Sequence, residues 1–596
     1  MKKRVVDVLM STAVEMGIEN CFAVVGGGAM HIDNALSLCD EIDTVFNHHE
    51  QACTMAAEAY ARYSGKIAMA SVTSGPGATN ALTGVMGAWE DSIPMLVISG
   101  NTRYGISVAS TGLPLRYRGV QEFDIINSIG NMTKYSKVLK NPDLVKYEVQ
   151  KAITIAMDGR RGPVWLDIPL DIQNSIIDDK KIPLFKNNKK TVINEGEINE
   201  CINLLKNAAR PVLIVGSGII SSDNMDNLEE FRRKIELPTL GAAWVADVGY
   251  NEDPMFFGLS GNIGPRSGNF ILQNADVILT LGTSLSYNET GYKVDAFAPN
   301  AKIIMIDADE NEYLKHEDKV DLFINSGLKD FFDCFKITGF SVKANPEWIE
   351  FCRKLNDRFD KYEAIKNIDL NARVNKYYFW KKYDEIAPED EILALGNSSC
   401  NSAKLQVGKR YKKQRVITNY MCGSMGYDLP AAIGCAVASK KSVLCVTGDG
   451  SIMMNLQELQ TIISNELPVK IIVFENDGYN AIKQTCKNFF NGKEFGCSKE
   501  TGVSMPKFEG VAAAFEYEYD CCETNGQLEE KLKWLFKESK NVILEIKEQF
   551  DDPLIPKVMS RIGEDGQMKS PALHDMYPFI DESELNELLI WGKNKL

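Results

Sequence analysis

Apolar residues along the chain gather into short runs that end on glycine, proline or acid, with helical stretches between them. In the first third, CFAVVGGG, KIAMASVTSG, PMLVISG and PVWLDIP are strand-like, and HHEQACTMAAEAYARYSG between the first two is helical. ARPVLIVGSGI, ADVILTLGTSL and AKIIMIDAD repeat the pattern in the middle third. DEILALGN, KSVLCVTGDG, VKIIVFEND and NVILEIKE repeat it in the last. Near-continuous apolar runs alternating with helices predict parallel sheets covered on both faces. The expected fold class is α/β with three doubly wound parallel-sheet domains, at 1–173, 196–337 and 371–552. Residues 553–596 lack a clear sheet pattern and read as a docked tail or lid. The first and third blocks are candidates for distant copies of one unit.

Composition narrows the function classes. At 596 residues the chain exceeds one core, and its 44% hydrophobic and 25% charged content is that of an ordinary globular protein. No run reaches the ~20 apolar residues of a membrane span, and MKKRVVDVLMSTAVEMGIEN reads as an amphipathic helix rather than a signal peptide. A net charge of −15 argues against nucleic acid, and the Lys-rich PLFKNNKKT reads as a solvated linker. Fourteen cysteines without a CxxC pair suit reduced thiols and a cytoplasmic location. Five histidines, with His48 and His49 adjacent and pointing apart, make a His-based zinc site a poor reading.

Two apolar runs end on charge. In CVTGDGSIMMNLQELQTIISNELPVKIIVFENDG, residues 445–478, one run stops at Gly448-Asp449-Gly450 and the next at Glu475-Asn476-Asp477-Gly478. A carboxylate at a buried strand end costs free energy unless something there needs its charge. Residues 442–447 and 469–474 are predicted as neighbouring strands, and NLQELQTIISNE as a crossover helix with Leu456, Leu459 and Ile463 on one face. A right-handed crossover opens both strand ends on one edge, where open α/β sheets bind ligands. Asp449 and Asn476 are then placed to share a hard cation through oxygen, and Gly450 and Gly478 to admit a diphosphate. Mg²⁺ suits a site of few protein oxygens completed by phosphate oxygens. Gly-Asp-Gly alone is commonly only a turn; the second polar strand end one crossover later carries the reading. An NAD site is disfavoured, since VVGGGAMH and VGSGIISS have His31 and Ser221 where GxGxxG needs its third glycine.

Gly-Asp-Gly, a crossover and then Asn476 resembles the thiamin-diphosphate motif of the acetolactate synthase and pyruvate decarboxylase superfamily. The resemblance implies thiamin diphosphate with Mg²⁺ held by Asp449, Asn476 and the carbonyl of Gly478, and Gly448, Gly450, Ser451 and Tyr479 against the cofactor. Glu475 stands where the family has Asn, a departure in the loop rather than in the ligand. HHEQA…AAEAYAR is similar to the segment of the catalytic Glu, and VTSGPGATNALTGV, residues 72–85, to its neighbour. Glu50 is the implied acid, sharing a proton with the far nitrogen of the aminopyrimidine; an ordinary helix-start Glu is the plain alternative. CGSMGYDLPAAIG resembles the stretch that bends the cofactor, which gives that role to Met425 and places the backbone of Gly423 and Met425 on the pyrimidine. FAVVGGGAM resembles the Phe-Gly-x-Pro-Gly-Gly turn, with Val25 for Pro, setting Gly26 and Gly27 beside substrate; RGVQEFD adds Gln121. The implied domains are pyrimidine-binding, central and diphosphate-binding. The implied assembly is a homodimer or homotetramer in which Glu50 and Asp449 serve one cofactor from different subunits.

The reaction so implied is decarboxylation of a 2-oxo acid, pyruvate in the synthase, with transfer of the acetyl unit to a carbonyl acceptor. A simple 2-oxo acid decarboxylase and a non-catalytic scaffold of the same fold are the alternatives. NAIKQT, with Lys483 and Thr485, replaces a Gly-Met-Val-Arg-Gln-Trp type stretch, and losing the indole opens room beside the acceptor. NDGYNAIKQT, GVSMPKF and SPALHDMYPF resemble synthase-like enzymes of surface-sugar biosynthesis, pointing to a nucleotide-linked keto-sugar acceptor. GTSLSYNETG lacks both Arg of the FAD-contacting stretch, while Arg266 in GPRSGN and Asp307 in IDAD keep FAD open.

Overall fold

The computed structural model describes residues 2–178, 183–186, 193–419, 421–538, 540–550, 552–562 and 567–590. Three six-stranded sheets carry the architecture. The N-terminal sheet runs Asp43–Phe46, Asn20–Ala23, Ala68–Val72, Met95–Asn101, Pro163–Pro169, Tyr135–Val138, every pair parallel. The C-terminal sheet runs Arg415–Ile417, Ile392–Leu395, Val443–Gly448, Val469–Glu475, Val542–Lys547, Glu518–Cys522, also all parallel. In chain order both read second, first, third, fourth, sixth, fifth, which supports the two blocks being copies of one unit. The central sheet differs: Phe256–Leu259, Thr239–Gly241, Pro211–Val215, Val277–Leu281, Lys302–Asp307, Leu322–Asn325. That is the third-second-first-fourth-fifth-sixth order of dinucleotide-binding sheets.

The inner strands are the apolar runs read from sequence, and the whole of Ala68–Val72, Pro163–Pro169 and Val443–Gly448 is buried. The crossover helix forms over Glu458–Ser464, shorter than the pattern suggested, with Leu459 and Ile462 as its fully buried apolar residues.

Helix Glu50–Ser64 and helix Asp428–Ser439 lock the outer domains together. Their facing sides are small: Ala52, Ala56 and Ala59 on one, Ala431, Ala432 and Ala436 on the other, all buried. A Cβ on Gly434 would lie 2.2 Å from the Ala56 carbonyl oxygen, so the backbones touch there. One apolar cluster accordingly runs from Phe22 and Val72 through Ala56 to Ile433 and Val473. A buried polar clamp sits at its rim. Arg62 donates to Glu58 at 2.9 Å and Asp91 at 2.6 Å, and Tyr427 donates to Glu58 from the other domain.

The C-terminal segment lies on the central domain. Asn269 donates to the Leu573 carbonyl at 3.0 Å and Asn274 to that of Leu588 at 2.9 Å, both from helix Arg266–Gln273 or its cap. It packs as a strap along that helix.

Replacing Gly434 by Val should push the two helices apart at a backbone contact that cannot yield. We expect a loss of about 3 kcal/mol of stability, read from chemical denaturation, from overpacking at this crossing.

Candidate active site

Strand Val443–Gly448 pairs with Val469–Glu475 along its length, Gly448 opposite Phe474, so both chains leave the sheet at one edge. Asp449 follows at once and is 1% exposed. Its Oδ1 accepts the Gly450 N–H at 2.8 Å, and its Oδ2 accepts those of Asn476 at 3.2 Å and Gly478 at 3.1 Å. Burial pushes this carboxyl up to about 7 against the pull of those three bonds. Asn476 donates Nδ2 to Glu548 Oε2 at 2.8 Å, while its Oδ1 is buried with no hydrogen-bond partner. Asn480 Oδ1, at the start of the next helix, is buried and unpartnered too. A carboxylate beside an orphaned amide oxygen fits a hard divalent cation.

Both glycines have a second reason to be glycine beyond the expected approach of a diphosphate. Gly478 has φ 129°, and a Cβ there would lie 2.1 Å from the Cys497 carbonyl oxygen. A Cβ on Gly450 would lie 2.4 Å from the ring of Tyr479.

The Glu475 departure is balanced by cations. Arg373 donates to Glu475 Oε2 at 2.7 Å and to its carbonyl at 3.2 Å, and Lys547 lies 3.3 Å from the same carboxylate. Lys483 lies in the helix after the loop. Its Nζ folds back onto the carbonyls of Asn476 at 3.0 Å and Asp477 at 2.9 Å, and Thr485 bonds the Ala481 carbonyl of its own helix.

Above this loop, Gly423 accepts from Asn397 Nδ2 at 2.7 Å and takes φ 57°. Gly426 donates to Ser451 Oγ at 2.9 Å, and Ser451 donates to Asp428 at 2.8 Å. These ties hold half-buried Met425 over the Asp449 turn. The structure thus gathers Gly423, Met425, Gly448, Asp449, Gly450, Ser451, Asn476, Gly478 and Tyr479 at one sheet edge.

The remaining sequence-derived residues gather at the matching edge of the N-terminal sheet. Glu50 opens its helix, is buried, and accepts from Asn80 Nδ2 at 3.0 Å. A Cβ on Gly77 would sit 3.1 Å from Glu50 Oε1, and the Thr73 side chain fills the space beside both Gly77 and Gly26. Gly27 follows Gly26 in the same turn. A Cβ on Gly75 would meet the Gln121 carbonyl oxygen at 2.3 Å, which brings Gln121, at φ 52°, to this edge as well. Glu122 orders the loop around it by accepting N–H groups of Val108 and Gly119 at 2.6 and 2.9 Å. Among the described residues, no hydrogen bond or ion pair joins Glu50 to the Asp449 group within one chain.

Asn80, Asn397 and Glu548 were not singled out from sequence. Glu548 carried the same signal as Asp449, an acid directly after the apolar run VILEIK.

Between the N-terminal and central domains lies a cavity of about 630 Å³ lined by Gly218, Gly282, Thr283, Asp307, Arg160 and Arg161, among others. Burial pushes Asp307 up to about 6. The glycine turn spends its donors internally: Gly216 N–H on the Leu281 carbonyl and Gly218 N–H on that of Gly282, each at 2.9 Å. Arg160 is held by Asp309 at 3.1 Å and by Glu312, and Arg161 by the Gly65 carbonyl at 3.3 Å. Arg266, expected to reach a nucleotide, instead donates to the carbonyls of Met576 at 3.2 Å and Pro578 at 2.6 Å in the C-terminal strap. The strap's carbonyls satisfy a guanidinium that would otherwise be buried without acceptors. The glycine turn, Arg160 and Arg266 are thus already engaged within the chain.

Two sheets of one strand order, each with a buried acid at its ligand edge, flanking a dinucleotide-ordered sheet, define the architecture of thiamin-diphosphate enzymes. Family models agree in all three parts: "Thiamine pyrophosphate enzyme, N-terminal TPP binding domain" matches residues 3–126, the central domain 198–334 and the C-terminal TPP binding domain 395–546. The acetolactate synthase large subunit of Buchnera aphidicola (Schizaphis graminum) is 30% identical over 567 residues, covering 92% of this chain and 94% of that protein. Isozyme 1 of Escherichia coli is 29% identical over 521 residues, with 86% and 88% covered. The chloroplastic acetolactate synthase of Arabidopsis thaliana is 28% identical over 503 residues, with 81% and 72% covered. The chain belongs to the thiamine pyrophosphate enzymes, as a thiamin-diphosphate-dependent enzyme of the acetolactate synthase type.

Gly478→Ala adds a methyl into the Cys497 carbonyl at a φ unfavourable to alanine. It should cost about 2–4 kcal/mol locally, seen as faster proteolysis of the 476–502 region with the rest of the fold retained.

Proposed function

We propose that the chain decarboxylates pyruvate and passes the acetyl unit to a carbonyl acceptor, using thiamin diphosphate anchored through Mg²⁺. The carrying observation is the orphaned Asn476 Oδ1 beside the Asp449 carboxylate. Among the described residues no group of three or more His, Cys, Asp or Glu side chains is placed to hold a metal. Asp449, Asn476 and the Gly478 carbonyl would therefore need phosphate oxygens to complete the shell.

When bound, thiamin diphosphate supplies the electron sink for loss of carbon dioxide. Glu50, one carboxylate oxygen of which is fixed by Asn80, would hold or share a proton at the far ring nitrogen of the pyrimidine. Gly423 and Met425 support that ring, with Gly448, Gly450, Ser451 and Tyr479 toward the diphosphate. Gly26, Gly27 and Gln121 line the substrate side. As the family resemblance implies, we place each site between subunits of a dimer or tetramer, with Glu50 and the Asp449 group supplied by different chains. The domains so used are pyrimidine-binding 1–173, central 196–337 and diphosphate-binding 371–552. Fourteen cysteines, all unpaired, suit a cytoplasmic location.

A larger acceptor, a nucleotide-linked keto-sugar, is the second reading. It is favoured by the helix after the metal loop, whose Lys483 is folded away and which carries no indole.

Glu50→Gln should reduce carbon dioxide release from pyruvate by at least 100-fold, a scale typical of losing an acid–base group. Mg²⁺-dependent cofactor binding should persist, and retained turnover would assign the acid elsewhere. Mass spectrometry of products, with pyruvate alone and then with keto-sugar nucleotides, should show acetyl transfer to the sugar. Rapid acetolactate formation with the sugars ignored would leave pyruvate as the acceptor.

A further inference from the structure

Strand Val542–Lys547 lies beside Val469–Glu475 with Lys547 opposite Glu475. The ladder extends one step further, Glu548 donating its N–H to the Glu475 carbonyl at 2.9 Å. This register delivers the Glu548 side chain to Asn476, the residue that follows Glu475. Glu548 is 1% exposed, and besides Asn476 Nδ2 it accepts from Ser399 Oγ at 3.5 Å.

The chemistry of the pair is one-sided. An asparagine amide has two ends of nearly equal shape, one donating and one accepting, and either can be turned toward a neighbour. A carboxylate can only accept. Facing Glu548, Asn476 must present its NH₂, so its Oδ1 points the opposite way, where it is buried and unpartnered. Lys376, fully buried, contributes the nearby positive charge and is itself held by Asp552 at 3.2 Å. Arg373 donates to the Glu548 carbonyl at 2.9 Å, so the backbone under the carboxylate is pinned as well.

We propose that Glu548 is a positioning residue for the divalent cation: it fixes the polarity of the Asn476 amide so that the oxygen is set into the Asp449–Gly478 site before metal arrives. The role rests on the reading of Asp449, Asn476 and Gly478 as the ligand set. It adds a residue outside that set which determines how tightly the set holds a cation. Outer partners that orient ligands in this way commonly govern metal affinity by 10- to 100-fold.

The test is calorimetric titration of thiamin diphosphate into cofactor-stripped full-length enzyme at varied Mg²⁺. Wild type should bind the cofactor only with Mg²⁺; Mg²⁺-independent binding would remove the metal reading itself. Glu548→Gln offers Asn476 either an acceptor or a donor and so releases the one-sided restraint. We expect the half-saturating Mg²⁺ to rise about tenfold or more, with the melting temperature of the cofactor-free protein little changed. Asn476→Asp sets two carboxylates face to face and should weaken Mg²⁺ binding further. The double variant Asn476→Asp with Glu548→Gln restores a donor–acceptor pair in the reverse sense, and should recover Mg²⁺ affinity relative to Asn476→Asp alone. A residue that merely fills space cannot give that rescue. Unchanged Mg²⁺ dependence in Glu548→Gln, or a double variant no better than Asn476→Asp, would overturn the proposal while leaving the metal reading intact. If Glu548→Gln alone does not fold, the comparison of Asn476→Asp with the double variant still decides.

Discussion

The Asp449 carboxylate is pulled in two directions. Its place at the end of a fully buried strand removes water from it, while three backbone N–H groups, two of them from the neighbouring strand's loop, converge on its oxygens. Burial has the larger effect and pushes the carboxyl up to about 7. A nearby divalent cation keeps such a carboxyl ionised and turns a cost of burial into binding. The same tie determines the loop. With the N–H groups of Asn476 and Gly478 both directed at Oδ2, the loop is folded back onto the acid. Lys483 closes the carbonyl side of the loop and Glu548 its amide side. The Tyr479 ring then lies over Gly450, where any side chain would collide. One buried acid thus organises a loop of four residues and the helix after it.

The outer sheets repeat one strand order, and each places its acid beyond the carboxyl ends of its strands. The settings of the two acids differ. Asp449 is ringed by backbone donors, as suits a group that meets a cation. Glu50 meets a side-chain amide on one oxygen and the empty face of Gly77 near the other, as suits a group that exchanges a proton with a ligand ring. The helix bearing Glu50 is bolted to the C-terminal domain through Gly434 and the Glu58–Arg62–Tyr427 clamp. The two acids of a single chain are therefore held in a fixed relation without touching.

What was legible in the sequence follows the burial of the strands. Inner strands such as Ala68–Val72 and Val277–Leu281 are covered on both faces and read as unbroken apolar runs. The edge strands Tyr135–Val138 and Glu518–Cys522 escaped notice, because a strand with one neighbour tolerates Lys137, Glu518 and Asp520 within it. Short strands of the central sheet, Thr239–Gly241 and Phe256–Leu259, were hidden by their glycines. At the site, Asp449 and Asn476 were visible as polar ends of apolar runs; Asn397, which ends DEILALGN, was passed over, and Asn80 carried no such signal. An amide in a loop has no periodicity to betray it, and its role depends on what the fold brings opposite. Lys483 likewise takes its place from the fold, its Nζ bonding the Asn476 and Asp477 carbonyls.

The central domain keeps the strand order of a dinucleotide binder, with its glycine turn, Arg160 and Arg266 engaged within the chain. Its glycine turn is closed on itself, Gly218 against Gly282, and a methyl at either position would strike the other. Arg160 is neutralised by two acids across the domain boundary, which makes it a tie between domains. Arg266 is spent on the strap. That strap begins in the C-terminal domain, where the Ile555 and Pro556 carbonyls accept from Tyr377 and Gln406, and ends along helix Arg266–Gln273. It therefore spans the two domains and consumes the one guanidinium that sequence had offered to a nucleotide. One end of the segment is held by the Tyr377 hydroxyl and the Gln406 amide and the other by Arg266, Asn269 and Asn274, so it ties the C-terminal domain to the central one.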